Sequence, residues 1–245
     1  MSRIDDIVRF YELLDRLETC VGGKRTLAEA SSQDGWSARG VYFFFEPGEH
    51  RSGRGAGPRV VRVGTHALKA GSRRLLWQRL SQHRGTIRSG GGNHRGSIFR
   101  LLVGDAIKNK GAADEPQSWG VAPDPGQAAR KLGTDRRQLL DSELPLEREV
   151  SDHIRAMHFL SLPVEDEPGP ESLRGVIERN SVALLSNYGR QPVDAPSAAW
   201  LGLWSSRERV RKSGLWNNRH VEESYDPSFL DELEARVPES DQSAR

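Results

Sequence analysis

Apolar residues recur at helical spacing near the start of the chain: Ile7, Val8, Tyr11, Leu14 and Leu17 share one face between residues 5 and 20, and Gly22-Gly23 ends the run. The pattern predicts an amphipathic helix covering one flank of a domain. The period then changes. Gly40-Val41-Tyr42-Phe43-Phe44-Phe45 is short, aliphatic and aromatic, and Pro47-Gly48 bounds it, as in a buried strand. Arg59-Val60-Val61-Arg62-Val63-Gly64 predicts a second strand, joined to the first as a hairpin across a long glycine- and arginine-rich turn at 51–58. Ser72 is placed to cap a helix running to about His83, with Leu75, Leu76 and Leu80 on its apolar side. The glycines of 85–92 predict a loop.

Helical pattern returns at 97–108, again at 128–140 and at 147–157, with a Gly-, Pro-, Ala- and Asp-rich surface excursion at 111–127. Residues 158–164 predict a third strand, followed by an acidic turn at 165–170. The next helix places Leu173, Val176, Ile177 and Leu184 inward. From residue 191 the pattern is less regular until an acidic helix near 229–237. Strand, strand, helix, helical stretch, strand, helix is the order of an α+β fold, a small central mixed or antiparallel sheet flanked by helices. It divides into an N-terminal helical extension (1–36), a core domain (37–190) with a helical insertion at about 95–155, and a C-terminal extension (191–245).

Composition narrows the class of partner. The single Cys20 cannot form an internal disulfide, the first residues lack the apolar core of a signal peptide, and no apolar run reaches membrane-spanning length, so a soluble cytoplasmic protein without a membrane partner is expected. The net charge of +2 conceals a segregation: residues 50–104 hold eleven arginines and Lys69 but no Asp or Glu, which leaves −10 on the remainder. A carboxylate-free arginine stretch suits a polyanion, because guanidinium contacts phosphate oxygens bidentately. Arg62, Arg73, Arg74, Arg84, Arg88, Arg95 and the loop residue His94 are the candidate nucleic-acid contacts within it.

Candidate chemistry lies in the same stretch. Arg79 and His83 are four residues apart, so a helix stacks them on one face, where a fixed guanidinium can neutralise phosphoryl charge and an imidazole can move a proton. Glu178 is a lone carboxylate on a helix with a strong apolar face; it can hold a hard divalent ion or pair with Arg174 one turn earlier. Tyr42 is either a core tyrosine or a group that orients the attacking water. Zinc-ligand spacing, a Walker-type phosphate loop and a Gly-x-Ser-x-Gly elbow are absent.

Gly40-Val41-Tyr42 followed by Arg62-Val63-Gly64 on the next strand resembles the two signature tripeptides of the GIY-YIG nucleases. Arg79 with His83 on the following helix, then Glu178 on a late helix, is similar to that family's catalytic arginine, histidine and metal-binding glutamate; Asn187 matches its site-closing asparagine. The resemblance spans roughly residues 37–190 and implies metal-dependent hydrolysis of DNA phosphodiesters, Mg²⁺ or another hard divalent cation such as Mn²⁺ on Glu178, and a possible homodimer for double-strand cutting. The pattern departs at Arg62, which stands where the family has a tyrosine. The water-activating role then falls to Tyr42 or to His66, two residues past Val63-Gly64. The same departure supports an alternative, a catalytically inactive nucleic-acid-binding module on this scaffold. RNA in place of DNA is also open, because phosphate contacts read neither sugar nor base.

Overall fold

The computed structural model describes residues 2–52, 57–111 and 116–238. Residues 53–56 of the anticipated hairpin loop, Arg54 among them, and 112–115 of the anticipated surface excursion lie outside the described residues.

The chain begins with helix α1 (Arg3–Cys20). Ser2 and Asp5 close a reciprocal cap, the Asp5 amide donating to Ser2 Oγ (3.3 Å) and the Ser2 amide to Asp5 Oδ2 (2.9 Å). Four strands follow, β1 (Arg25–Thr26), β2 (Gly40–His50), β3 (Pro58–Gly64) and, much later, β4 (His158–Pro163). They form one fully antiparallel sheet in the order β1-β4-β2-β3. The two residues of β1 are too few to show a period, which is why the sequence pattern does not announce that strand.

Helices cover both faces. α2 (Leu76–Arg84), α3 (Ile98–Gly111), α4 (Pro125–Leu132) and α5 (Arg136–Arg155) lie between β3 and β4, and α6 (Leu173–Leu185), α7 (Glu208–Ser213) and α8 (Phe229–Glu234) follow β4. Being central, β2 is buried on both sides. Val41, Phe43 and Phe45 pack with residues of α1, α6 and α8, while Tyr42 and Phe44 pack with residues of α2, α3 and α5. A fully buried phenylalanine contributes roughly 1.5–3 kcal/mol by removal from water, so this unbroken apolar run anchors both cores. The N- and C-terminal helices belong to the same core as the sheet.

Three boundaries differ from the sequence pattern. α2 starts at Leu76, not at Ser72: Ser72 closes a turn onto the Lys69 carbonyl (3.0 Å), Gly71 has φ +75°, and Leu75 is exposed instead of facing inward. The stretch expected to form helices at 128–140 and 147–157 breaks earlier, at Gly133 (φ +65°), and α5 then runs unbroken through Pro145. One missing N–H does not end α5, because Leu139, Leu146, Val150 and Ile154 stay buried along it. Val176 of α6 points outward, and Ile177, Val182 and Leu184 fill the core.

The outer edge of β3 is covered by the C-terminal segment. The Trp216 amide donates to the Val61 carbonyl (2.7 Å), and the Asn217 side chain matches both backbone groups of Val63, accepting from its N–H (3.2 Å) and donating to its C=O (2.8 Å). This closes a strand edge otherwise open to another chain. Beneath it, the buried Glu46 carboxylate accepts from the indoles of Trp200 (3.0 Å) and Trp216 (2.9 Å), so these tail tryptophans pack and do not face a ligand.

Candidate active site

Tyr42 lies mid-sheet, in register with Gly64 of β3 and Ser161 of β4, and is fully buried. Its hydroxyl is 2.9 Å from His83 Nε2, and His83 Nδ1 is 2.8 Å from Ser97 Oγ. A Cβ added at Gly64 would sit 2.5 Å from the Tyr42 ring, so the closing glycine of the second tripeptide is what admits the tyrosine. Burial, reinforced by the nearby charges of Arg79, Arg62 and Arg100, holds the His83 pKa well below the ordinary histidine range. The imidazole is therefore neutral at physiological pH. Neither ring opens to solvent.

A register shift between Phe44 and Phe45 lets Val61 and Arg62 both turn toward the α2–α3 side. The Arg62 guanidinium lies over the Phe99 ring (4.6 Å to the centroid) and donates through Nη1 to the Trp216 carbonyl, while Nε has no hydrogen-bond partner. Its other face borders a cleft of about 590 Å³, lined also by Thr65, His66, Arg74, Arg79, Arg95 and Glu178, and on the far side by Asn217, Asn218, Arg219 and His220.

Three features of this cleft bear on chemistry. Arg79, on the first turn of α2, donates only to neutral oxygens, Gln82 Oε1 and the Gly96 carbonyl (both 3.2 Å). Glu178, half-buried on α6, forms no salt bridge among the described residues; Arg174, the alternative partner one turn earlier, is engaged by Asp166 and by the His66 carbonyl (2.7 Å). Desolvation raises the Glu178 pKa, against the opposing pull of Arg62, His220, Arg79 and the Thr65 amide. Finally, the His66 ring approaches the Ala38 carbonyl through Nε2 (3.3 Å) and leaves Nδ1 without a partner. Burial and the cations Arg174, Arg79 and Arg39 push its pKa down to about 4, so it too is neutral at physiological pH.

Several residues singled out by sequence fall elsewhere. Asn187 is outside the cleft, where its Oδ1 accepts from Arg3 (3.2 Å) and the Val193 amide (2.9 Å) and so ties the start of α1 to the tail; the asparagines at the cleft are Asn217 and Asn218. His94 is not a flexible loop residue: it is buried, stacks on Trp119 (3.8 Å) and bonds Glu147 through Nδ1 (2.9 Å). Arg95 borders the cleft but is neutralised by a two-pronged pair with Glu143 (2.7 Å each). Arg84 lies over Trp77 and donates to the Ala30 carbonyl (2.7 Å), away from the cleft. Arg73 and Arg88 are exposed outside it, and Arg74 is exposed on its rim. The acid-free stretch thus receives carboxylates from elsewhere in the chain, since Arg51, Arg59, Arg95 and Arg100 pair with Asp15, Glu49, Glu143 and Glu147. Sequence reasoning missed the run Asn217-Asn218-Arg219-His220; four consecutive polar residues directly after Trp216 were its only signal.

Among the described residues no three His, Cys, Asp or Glu side chains converge as a metal cage. The cleft offers one carboxylate that forms no salt bridge among the described residues, with Arg62 and Arg79 close enough to act on it and with amide and imidazole groups on the same lining. That donor set suits a hard cation that keeps most of its waters.

The site is thus a cleft at one side of a small antiparallel sheet between helical layers, with several guanidinium groups and one carboxylate on its lining. The sequence model of the GIY-YIG domain family matches residues 1–243, and the chain belongs to that family. No curated protein and no solved structure matches it. Membership implies nuclease activity on nucleic acid, in a family whose members generally use divalent metal ions. No helix among the described residues is long and apolar enough to cross a membrane.

Proposed function

We propose that the chain is an endonuclease that hydrolyses DNA phosphodiester bonds in this cleft with a divalent ion, Mg²⁺ by preference, on Glu178. One observation carries the reading. The protein matches the arginines Arg51, Arg59, Arg95 and Arg100 to carboxylates, yet among the described residues Arg62, Arg79 and Glu178, which border one cleft and act on one another only through space, form no salt bridge. A phosphodiester with its cation would give these groups partners of both signs.

The ion supplies Lewis-acid stabilisation of the phosphoryl and leaving oxygens. The chain's own groups do the rest. Arg79 and Arg62 hold the non-bridging oxygens and oppose the charge that grows on them; loss of one such donor typically costs about 10²–10³ in rate. His66, a neutral imidazole bordering the cleft, takes the proton of the attacking water. As the water oxygen bonds phosphorus, the opposite P–O bond breaks and the leaving oxygen takes a proton from solvent. Tyr42, with no exposure and its hydroxyl on His83, acts from below as a positioning residue: the Tyr42–His83–Ser97 chain fixes the sheet and α3 against α2.

Supercoiled plasmid incubated with Mg²⁺ tests this. The wild type should nick or linearise it, a chelator should stop the reaction, and Glu178→Gln should slow it by at least about 10². Salt-sensitive plasmid binding with no metal-dependent cleavage would establish the inactive binding module instead. A strong preference for an RNA duplex assayed in parallel would overturn the DNA assignment.

A further inference from the structure

His220 has an unusual setting for a histidine. Its backbone is left-handed (φ +63°), a conformation unfavourable for a non-glycine residue and retained where the surrounding structure requires it. The segment before it is pinned to β3 through Trp216 and Asn217. His220 Nδ1 is held at 2.9 Å by Glu223 Oε1, and the other oxygen of Glu223 is gripped by Arg179, the residue next to Glu178 on α6. His220 Nε2 makes no hydrogen bond among the described residues. The residue borders three hollows, the 590 Å³ cleft and others of about 520 Å³ and 260 Å³, and Glu178 borders the first two as well.

An imidazole with one nitrogen on a carboxylate and the other bare, at a hollow that a carboxylate without a salt bridge also borders, is the arrangement in which histidine binds metal. The outer carboxylate fixes tautomer and ring orientation and makes the free nitrogen more basic. Resting on the proposal that Glu178 holds the divalent ion, we propose that His220 Nε2 is a second protein ligand to that ion, with Glu223 and Arg179 as its supporting shell. The backbone strain at His220 then has a purpose, since it delivers a ligand from the C-terminal segment to a carboxylate on α6. An imidazole also shifts preference from Mg²⁺ toward Mn²⁺.

The test uses the full chain loaded with Mn²⁺ alone, read by calorimetry and by pulsed electron paramagnetic resonance, in which a coordinated imidazole gives a ¹⁴N coupling. The variant is His220→Asn, because asparagine tolerates the left-handed backbone; Glu223→Gln tests the support, and circular dichroism checks folding. The wild type should show the ¹⁴N coupling and His220→Asn should lack it. Loss of a supporting carboxylate typically weakens metal binding about 10–100-fold, so Glu223→Gln should fall in that range and His220→Asn should weaken it no less. The ratio of Mn²⁺ affinity to Mg²⁺ affinity should fall in His220→Asn relative to the wild type. Mn²⁺ binding that is lost in Glu178→Gln but unchanged, with its ¹⁴N coupling, in His220→Asn would overturn the role of His220 and leave Glu178 standing. Binding equally weak in the wild type and Glu178→Gln would overturn both.

Discussion

A side chain at Gly64 would collide with the Tyr42 ring, and this crowding ties the two signature tripeptides together. Gly64→Ala should destabilise the protein by about 1–3 kcal/mol, the usual cost of overpacking, seen as a lower denaturant midpoint. Glu178 gives the opposite sign. Its carboxyl is desolvated without a salt-bridge partner, so Glu178→Gln should leave the metal-free protein at least as stable as the wild type at neutral pH while removing activity. His66 sets a pH dependence. Its folded pKa of about 4 lies below the ordinary histidine value of 6.5, so between those values the unfolded chain binds a proton that the folded one does not. Stability is complete above about pH 6.5 and declines as pH falls toward 4, and His83 adds in the same direction. Thermal midpoints should fall across that window in the wild type and fall less in His66→Gln; a midpoint that rises on acidification would contradict the assignment. At this scale spacing was informative where the residues sit on one element, as Arg79 and His83 do. It failed for His94 and Asn187, whose partners Glu147 and Arg3 come from distant parts of the chain.

Among elements, the distinction that matters is between arginines that hold the fold and those that face solvent. Arg95 joins the segment before α3 to Glu143 of α5, both buried, and Arg95→Ala should cost about 3–5 kcal/mol by stranding that carboxylate. Arg74, exposed on the cleft rim, should be replaceable by alanine within about 0.5 kcal/mol in stability. The same change should weaken DNA binding and reduce the salt slope of log affinity by about 1. Equal effects of the two substitutions on folding would show that this sorting is wrong. The sequence exposed the long periodic elements, α1, the β2–β3 pair, β4 and α6, because burial imposes a regular pattern on them. It mislaid the start of α2 and the break between α4 and α5, because Ser72 is a capping type used in a turn and Pro145 is a breaker tolerated within a packed helix.

For the whole molecule, the C-terminal segment is part of the core and of the cleft. It covers the β3 edge, sets Trp200 and Trp216 on Glu46, and supplies Asn217 to His220. A chain ending after Gly214 should lose activity and associate through the bared edge, visible as early elution or precipitation; a monomeric, active truncation would contradict this role. That role was hidden because the tail has no period of its own and works through single hydrogen bonds. Charge segregation was legible from the start, but its meaning changed with the fold: Arg51, Arg59, Arg95 and Arg100 are internally matched, and only a subset of the basic stretch remains for phosphate.

The most direct measurement takes wild type, Arg79→Ala and Glu178→Ala, and records plasmid cleavage with Mg²⁺ beside plasmid binding on the same preparations. The account predicts metal-dependent cleavage by the wild type and, in both variants, binding retained with cleavage lowered by about 10² or more. Cleavage that persists in both variants would mean that the reaction takes place somewhere other than this cleft.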